Sequence, residues 1–492
     1  MPALTACSGR SDPGADLIIT HARIWTGDSR HPEADAIAVV GDRIVDVGAD
    51  ERINAWRGEL TRVVDAEHRR VIPGFNDAHV HVVDAGIALE QVDLRDATDA
   101  AEITRRIGER ARTNPGEWIV GGRWNARLAD GDLPPRLAID DVTNGTPVFV
   151  VDGDRRRAIV NAAAFGRAGI TEQTPDPPGG RIVRDARGLP TGVVEGAALA
   201  LVERVVPHLA PADRVRVVKR ALEQAASRGV TSMQDIGASG EDVAAFAELA
   251  NRGELTSRIY AVAGEAGWYD QAKLGIRRSF GSSWLRLGGI VGAMDAAPAD
   301  DSYAADMLRT RLMAADHAGL QLCLLGADAH GIALALGRID DVVRADGPRD
   351  RRVRIEHAER AAPDDASRFA SLQAIASLQP DAAAGRAFAA FARQHVRMAL
   401  GSGWPAAGLD PTRVLQSIAN ANASIGDAMT AYTAGSSFAE FQEGDKGTIA
   451  RGQLADIVML SDDILAVPPA RVGDVQVLMT IVGGKVVHQR RP

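Results

Sequence analysis

The chain is short of cysteine, lysine, aromatic residues and long apolar runs. Only two cysteines, Cys7 and Cys323, occur in 492 residues, which excludes a disulfide framework and makes a reducing, cytoplasmic setting the simpler expectation. No segment approaches the roughly 18 apolar residues that a membrane-spanning helix needs. Excess positive charge is missing too: 65 acidic against 56 basic residues leave a net charge of -9. Nucleic acids and anionic membranes usually require a positive field, so neither is an expected partner. Four lysines stand against 52 arginines, a bias that reads as genome composition and carries no mechanism. Aromatic residues make up only 4%, yet 46% hydrophobic and 25% charged residues are the composition of a soluble globular protein. A small molecule is the default partner.

Residues 1–15 are rich in Ser, Gly, Pro and Asp, the composition of a mobile tail. Within it Leu4-Thr5-Ala6-Cys7 has the form of a lipoprotein cleavage box, but neither a basic n-region nor an adequate apolar run precedes it. Lipidation is therefore not expected. Residues 16–25 and 36–47 alternate apolar and polar side chains around Gly41-Asp42, and residues 452–460 and 477–487 do so around Gly483-Gly484. Such alternation with tight-turn residues predicts short antiparallel strands, and the two ends of the chain are expected to pair into one small β-sandwich, 16–70 with 445–492.

Between them, apolar strand-like runs alternate with Ala-, Arg- and Leu-rich helical stretches. Residues 214–228 followed by Val230–Asp235 are one instance, and residues 306–318 followed by Leu320–Leu325 another. This rhythm predicts a parallel α/β architecture, and the length favours a (β/α)8 TIM barrel over 71–444. The stretch from about 88 to 200 fits poorly and contains Thr174-Pro-Asp-Pro-Pro-Gly-Gly180. An inserted subdomain covering one side of the barrel mouth is expected there.

Chemistry concentrates in Val71-Ile-Pro-Gly-Phe-Asn-Asp-Ala-His-Val-His81. Residues i and i+2 of a strand point to one side, so a single strand can offer His79 and His81 to one metal ion. His79, His81, Asp235 and His357 each fall near the end of a strand-like run, where barrel enzymes carry their active sites.

Three motifs then resemble a known family. Pro73-Gly-Phe-Asn-Asp-Ala-His-Val-His81, Arg354-Ile-Glu-His-Ala358 and Gly452-Gln-Leu-Ala-Asp456 are similar to the metal-dependent amidohydrolase superfamily, in particular its N-substituted formamide deformylase-like branch. Thr174–Gly180 and Gly188-Leu-Pro-Thr-Gly192 resemble the insertion of that branch. The likeness runs from about Asp16 to His488. It implies a (β/α)8 barrel with a terminal β-sandwich, one or two zinc-like ions that activate water, and a homodimer. The implied ligand set is a His-x-His pair after strand one, a carboxylated Lys after strand four, His after strands five and six, and Asp after strand eight.

Only part of that set carries over: the pair to His79 and His81, and the strand-six ligand to His357. At the strand-four position the chain reads Gly288-Gly-Ile-Val291, at strand five Leu325, and at strand eight Gly401-Ser-Gly-Trp-Pro405 with Gly403 in place of the carboxylate. Ala382 in Gln379-Pro-Asp-Ala382 and Arg156 in Asp154-Arg-Arg156 replace two further polar positions of the branch. Three neutral imidazoles could still hold one zinc ion with an open position; the other expectation is no metal at all.

Several candidates have two readings each. Asp235 is a proton acceptor, or a helix cap within a strand-end hydrogen-bond network. His330, with Asp328, replaces the lost strand-five ligand, or belongs to a polar helix start. Arg156 holds a substrate carboxylate through its planar fork, or is part of a solvated charge run. Trp404 fills the space left by the missing carboxylate, or simply packs. Glu356 is expected on the strand face opposite His357, in a structural role.

Three functions follow. The first is hydrolysis of an amide or formamide carbon–nitrogen bond of a small molecule at a residual mononuclear metal site. The second is metal-independent chemistry (cyclase, isomerase, lyase or condensing) on a degenerate amidohydrolase site. The third is a catalytically silent binding protein.

Overall fold

A computed structural model describes residues 14–125, 128, 133–294, 302–380 and 383–490. Most of the 1–15 tail, Cys7 and Ala382 lie outside the described residues. The chain divides into two compact units, residues 1–85 with 218–492, and residues 86–217.

The first unit is built on eight parallel strands: β1 Phe75–Val80, β2 Val230–Ala238, β3 Arg258–Gly264, β4 Leu285–Ala293, β5 Gln321–Leu325, β6 Arg354–Glu356, β7 Ile375–Leu378 and β8 Met398–Leu400. Each pairs with the next in chain order. Helices between consecutive strands, such as Gly240–Asn251 and Ala329–Asp346, make the crossovers that parallel pairing requires. Every residue of β1 is buried, as expected for a strand covered on both faces.

Closure occurs just past β8. Gly403 N–H donates to the His79 carbonyl at 2.9 Å, and His81 N–H donates to the Trp404 carbonyl at 2.8 Å, giving a parallel bridge between Val80 and Trp404. Gly401 permits the approach, because a Cβ there would lie 2.5 Å from the His79 amide nitrogen. The expected (β/α)8 barrel is therefore present.

Below the strand ends the barrel interior is polar. Asn76 Nδ2 donates to Glu440 Oε1 at 2.6 Å, Lys446 Nζ lies 2.8 Å from the same oxygen, and Gln234 Nε2 donates to the Ser436 carbonyl at 2.9 Å. Buried polar groups are tolerated because each is paired.

Two further sheets come from the chain ends. Leu17–Thr20, Ala36–Val40, Arg43–Gly48 and Arg62–Asp65 form one. In the other, Ile457–Leu460 from the far end pairs antiparallel with Arg70–Pro73 from the near end. Leu17, Ile19, Ile37 and Val71 share one apolar core with Ile457 and Ile481. This is the small sandwich that the alternating patterns predict.

The second unit is a six-stranded mixed sheet, ordered Gly180–Arg184, Pro190–Gly196, Arg157–Val160, Val148–Asp152, Ile119–Trp124, Val92–Asp93. Two apolar cores serve it, one around Ile103, Ile107 and Trp124, the other around Phe149, Phe165 and Val194. No described helix is long and apolar enough to cross a membrane.

Candidate active site

The carboxyl ends of β1 and β6 bring three imidazoles together. Alternation along β1 puts Asp77, His79 and His81 on one side, and the rings of His79 and His81 lie 5.4 Å apart. His357 follows the last residue of β6 with φ +57°, so extended geometry ends there. Its ring turns to lie 5.2 Å from that of His79. His79 is buried, whereas His81 and His357 are half-buried.

Two of the three rings have a nitrogen engaged by a carboxylate. His79 Nδ1 sits 2.8 Å from Glu356 Oε2, and His357 Nδ1 sits 3.1 Å from Glu359 Oε1. Burial, reinforced by the neighbouring His79, pushes the His81 pKa below its ordinary value, against the pull of the Ile236 backbone.

Glu356 is fully buried and lies 2.9 Å from Arg354. Burial alone would raise its pKa, but the Arg354 guanidinium and the bond to His79 outweigh it and hold the carboxyl at about 2. The Arg354 contact is ionic and not a directed hydrogen bond, since Glu356 Oε1 and Arg354 Nε have no hydrogen-bond partner. Arg354 is itself fixed by the Gln234 side chain and by donation to the Ala78 carbonyl at 2.5 Å.

The expectation for Glu356 needs correction. Residues 354 and 356 share the inner face, as alternation requires, but His357 has left the strand conformation and joins the same space. The period-2 rule holds only while the chain stays extended. Glu359 and Gln379, also missed, lock His357: Gln379 Oε1 accepts from its N–H at 3.0 Å, and Gln379 N–H donates to Glu359 Oε2 at 3.0 Å. Asp77 is a further omission. It accepts from Tyr432 Oη at 2.8 Å and Ser402 N–H at 2.9 Å, and burial raises its pKa. Its i−2 spacing from His79 was the signal available in the sequence.

A model of the amidohydrolase family matches residues 62–488. The chain belongs to the amidohydrolase family. It is 30% identical to Protein LONG AFTER FAR-RED 3 of Arabidopsis thaliana, over 96% of this chain and 92% of that protein. It is 25% identical to the N-substituted formamide deformylase of Arthrobacter pascens, over 96% and 98%. Among solved structures, an uncharacterized metal-dependent hydrolase from Pyrococcus horikoshii superposes with a TM-score of 0.72 at 21% identity, covering 92% of this chain and 99% of that one. At that identity the likeness concerns the fold.

This member of the family departs from the ligand set that the resemblance implies. Val291 packs beside Ile236, Tyr260, Val262 and Cys323. Leu325 ends β5, paired with Glu356, and Gly403 has φ +68° with no side chain. Neither isopropyl, isobutyl nor hydrogen can bind an ion. Among the described residues, no group of three His, Cys, Asp or Glu side chains is placed to hold a metal. The residues present do not fit the family's metal set.

The remaining candidates are scattered. Asp235 is buried; its Oδ1 accepts Val82 N–H at 2.8 Å at the start of the Val82–Glu90 helix, and burial pushes its pKa up to about 7. This geometry is that of the strand-end capping reading. Asp328 caps the Ala329–Asp346 helix by accepting from Gly331 N–H at 2.9 Å. His330 is exposed in the first turn, with no hydrogen bond or ring contact to the three imidazoles among the described residues. Arg156 is exposed in the turn before Arg157–Val160 and belongs to the second unit. Trp404 is buried, its backbone engaged in barrel closure.

Proposed function

We propose that this amidohydrolase hydrolyses a carbon–nitrogen bond, an amide or an N-substituted formamide, of a small molecule at the carboxyl ends of β1 and β6. One observation carries the reading: the rings of His79, His81 and His357 gather at one point, with Nδ1 of His79 and of His357 each held by a carboxylate. Similarity to a formamide deformylase over nearly the whole chain supports the substrate class.

The protein's own groups suffice to write the reaction. A neutral imidazole accepts a proton from water as its oxygen attacks the carbonyl carbon. The same proton then passes to the leaving nitrogen as the carbon–nitrogen bond breaks, giving an amine and a carboxylic acid. His81, kept neutral by burial, suits that role.

A second reading is metal-independent, non-hydrolytic chemistry. Gly403 favours it, because no side chain replaces the strand-eight carboxylate. Zinc on the three imidazoles is a separate question, decided by metal analysis of purified protein.

The test combines that analysis with turnover of a panel of N-formyl and N-acyl amines by wild type, His79→Ala and His357→Ala. The expected result is amine release by wild type and at least a hundredfold loss in both variants. Unchanged release in both would overturn the assignment. Absence of any turnover, with ligand still bound, would favour a silent binding protein.

A further inference from the structure

The Arg354–Glu356–His79 chain is more strongly built than packing alone requires. A carboxylate and a guanidinium, both completely buried, are retained side by side beneath a single imidazole. Removing two charges from water costs several kcal/mol per ion unless geometry repays it. The carboxylate oxygen not facing Arg354 is the one at 2.8 Å from His79 Nδ1. A carboxylate can only accept, so Nδ1 must donate, and a neutral ring then leaves Nε2 as a bare lone pair. No partner for Nε2 is found among the described residues.

We infer that Glu356, anchored by Arg354, is a positioning residue that holds the proton of the neutral His79 ring on Nδ1 and so turns the Nε2 lone pair toward whatever occupies the site. Outer partners of this kind set ring orientation and basicity. The inference rests on His79 belonging to the active site, but its readout does not depend on the substrate.

Glu356→Gln gives a sharp test. The amide oxygen should turn to Arg354, placing the NH2 group against Nδ1. A donor there forces His79 into the opposite tautomer. Imidazole 15N shifts of the full chain, with the His79 signals identified by their loss in His79→Gln, report which nitrogen carries the proton. The expected result is protonated Nδ1 and bare Nε2 in wild type, with the two patterns exchanged in Glu356→Gln. A neutral wild-type ring that carries its proton on Nε2 and not on Nδ1 would overturn the inference, and that spectrum is available even if the variant fails to fold. An unchanged tautomer in a folded variant would overturn it equally.

Once a substrate is known, Glu356→Gln should lower kcat by about 10- to 100-fold with little change in KM. Tautomer exchange in a protein that hydrolyses no amide would sink the hydrolase reading alone. Hydrolysis without tautomer exchange would sink the positioning role alone.

Discussion

The Gly403 amide donates to the His79 carbonyl at 2.9 Å, so the glycine at the position where the resemblance implies a carboxylate is joined by backbone to the first histidine of the implied ligand set. Closure of the barrel and the position of the implied carboxylate thus meet at one point. The strand-eight backbone can keep its place while its side chain disappears.

Restoring that side chain is a direct experiment. A Cβ at Gly403 would meet Gln379 at 3.7 Å, an ordinary contact, but φ is +68°. Asp visits this region at a cost of about 1–2 kcal/mol. Gly403→Asp should therefore fold with a modest loss of stability and bind zinc at least tenfold more tightly than wild type. Calorimetric titration with zinc checks it; equal affinities would show that Gly403 does not control ion binding.

Gly401 allows no such freedom. A Cβ there would lie 2.5 Å from the His79 amide nitrogen, a clash with backbone and not with a movable side chain. Overpacking of this sort costs about 1–3 kcal/mol, occasionally more. Gly401→Ala should lower the urea midpoint or prevent soluble expression, and wild-type stability would contradict the close approach.

Burial places the Asp235 carboxyl at about 7, above its ordinary 3.8. Between those values the native state holds a proton that the unfolded chain has released, so this group's contribution to stability falls as pH rises from about 4 to 7. Asp235→Asn keeps an acceptor for Val82 N–H and removes the titration. The variant should gain on wild type between pH 5 and 7.5 in urea unfolding; parallel pH profiles would contradict the assignment.

Arg354 neutralises Glu356, and both side chains are fully buried. Arg354→Met leaves a buried charge uncompensated and should destabilise by about 3–5 kcal/mol. Adding Glu356→Gln removes that charge, so the double variant should be more stable than the sum of the single effects predicts. Strict additivity in denaturation would show the two residues to be uncoupled.

Much of this was legible in the sequence for a physical reason. Strand alternation, tight-turn residues and strand–helix rhythm are local properties, and they gave the sandwich strands, the barrel and the placement of His79 and His81 on one side. The motif Arg354-Ile-Glu-His357 likewise located a strand end. Its side-chain directions differ from simple alternation, because the strand ends at Glu356 and His357 takes a left-handed conformation. Asp328 and His330 looked like spare ligands, yet local capping chemistry claims the first and leaves the second at the surface.

The sequence by itself determined the barrel and the two-ended sandwich, and it put side chains that cannot bind an ion at Val291, Leu325 and Gly403, since each depends on local pattern or on the chemistry of one residue. The tertiary structure alone decided that Glu356 serves His79, 277 residues away, and that Glu359 and Gln379 serve His357. Barrel closure sets those distances, and no periodicity along the chain encodes which strand ends will face each other across it.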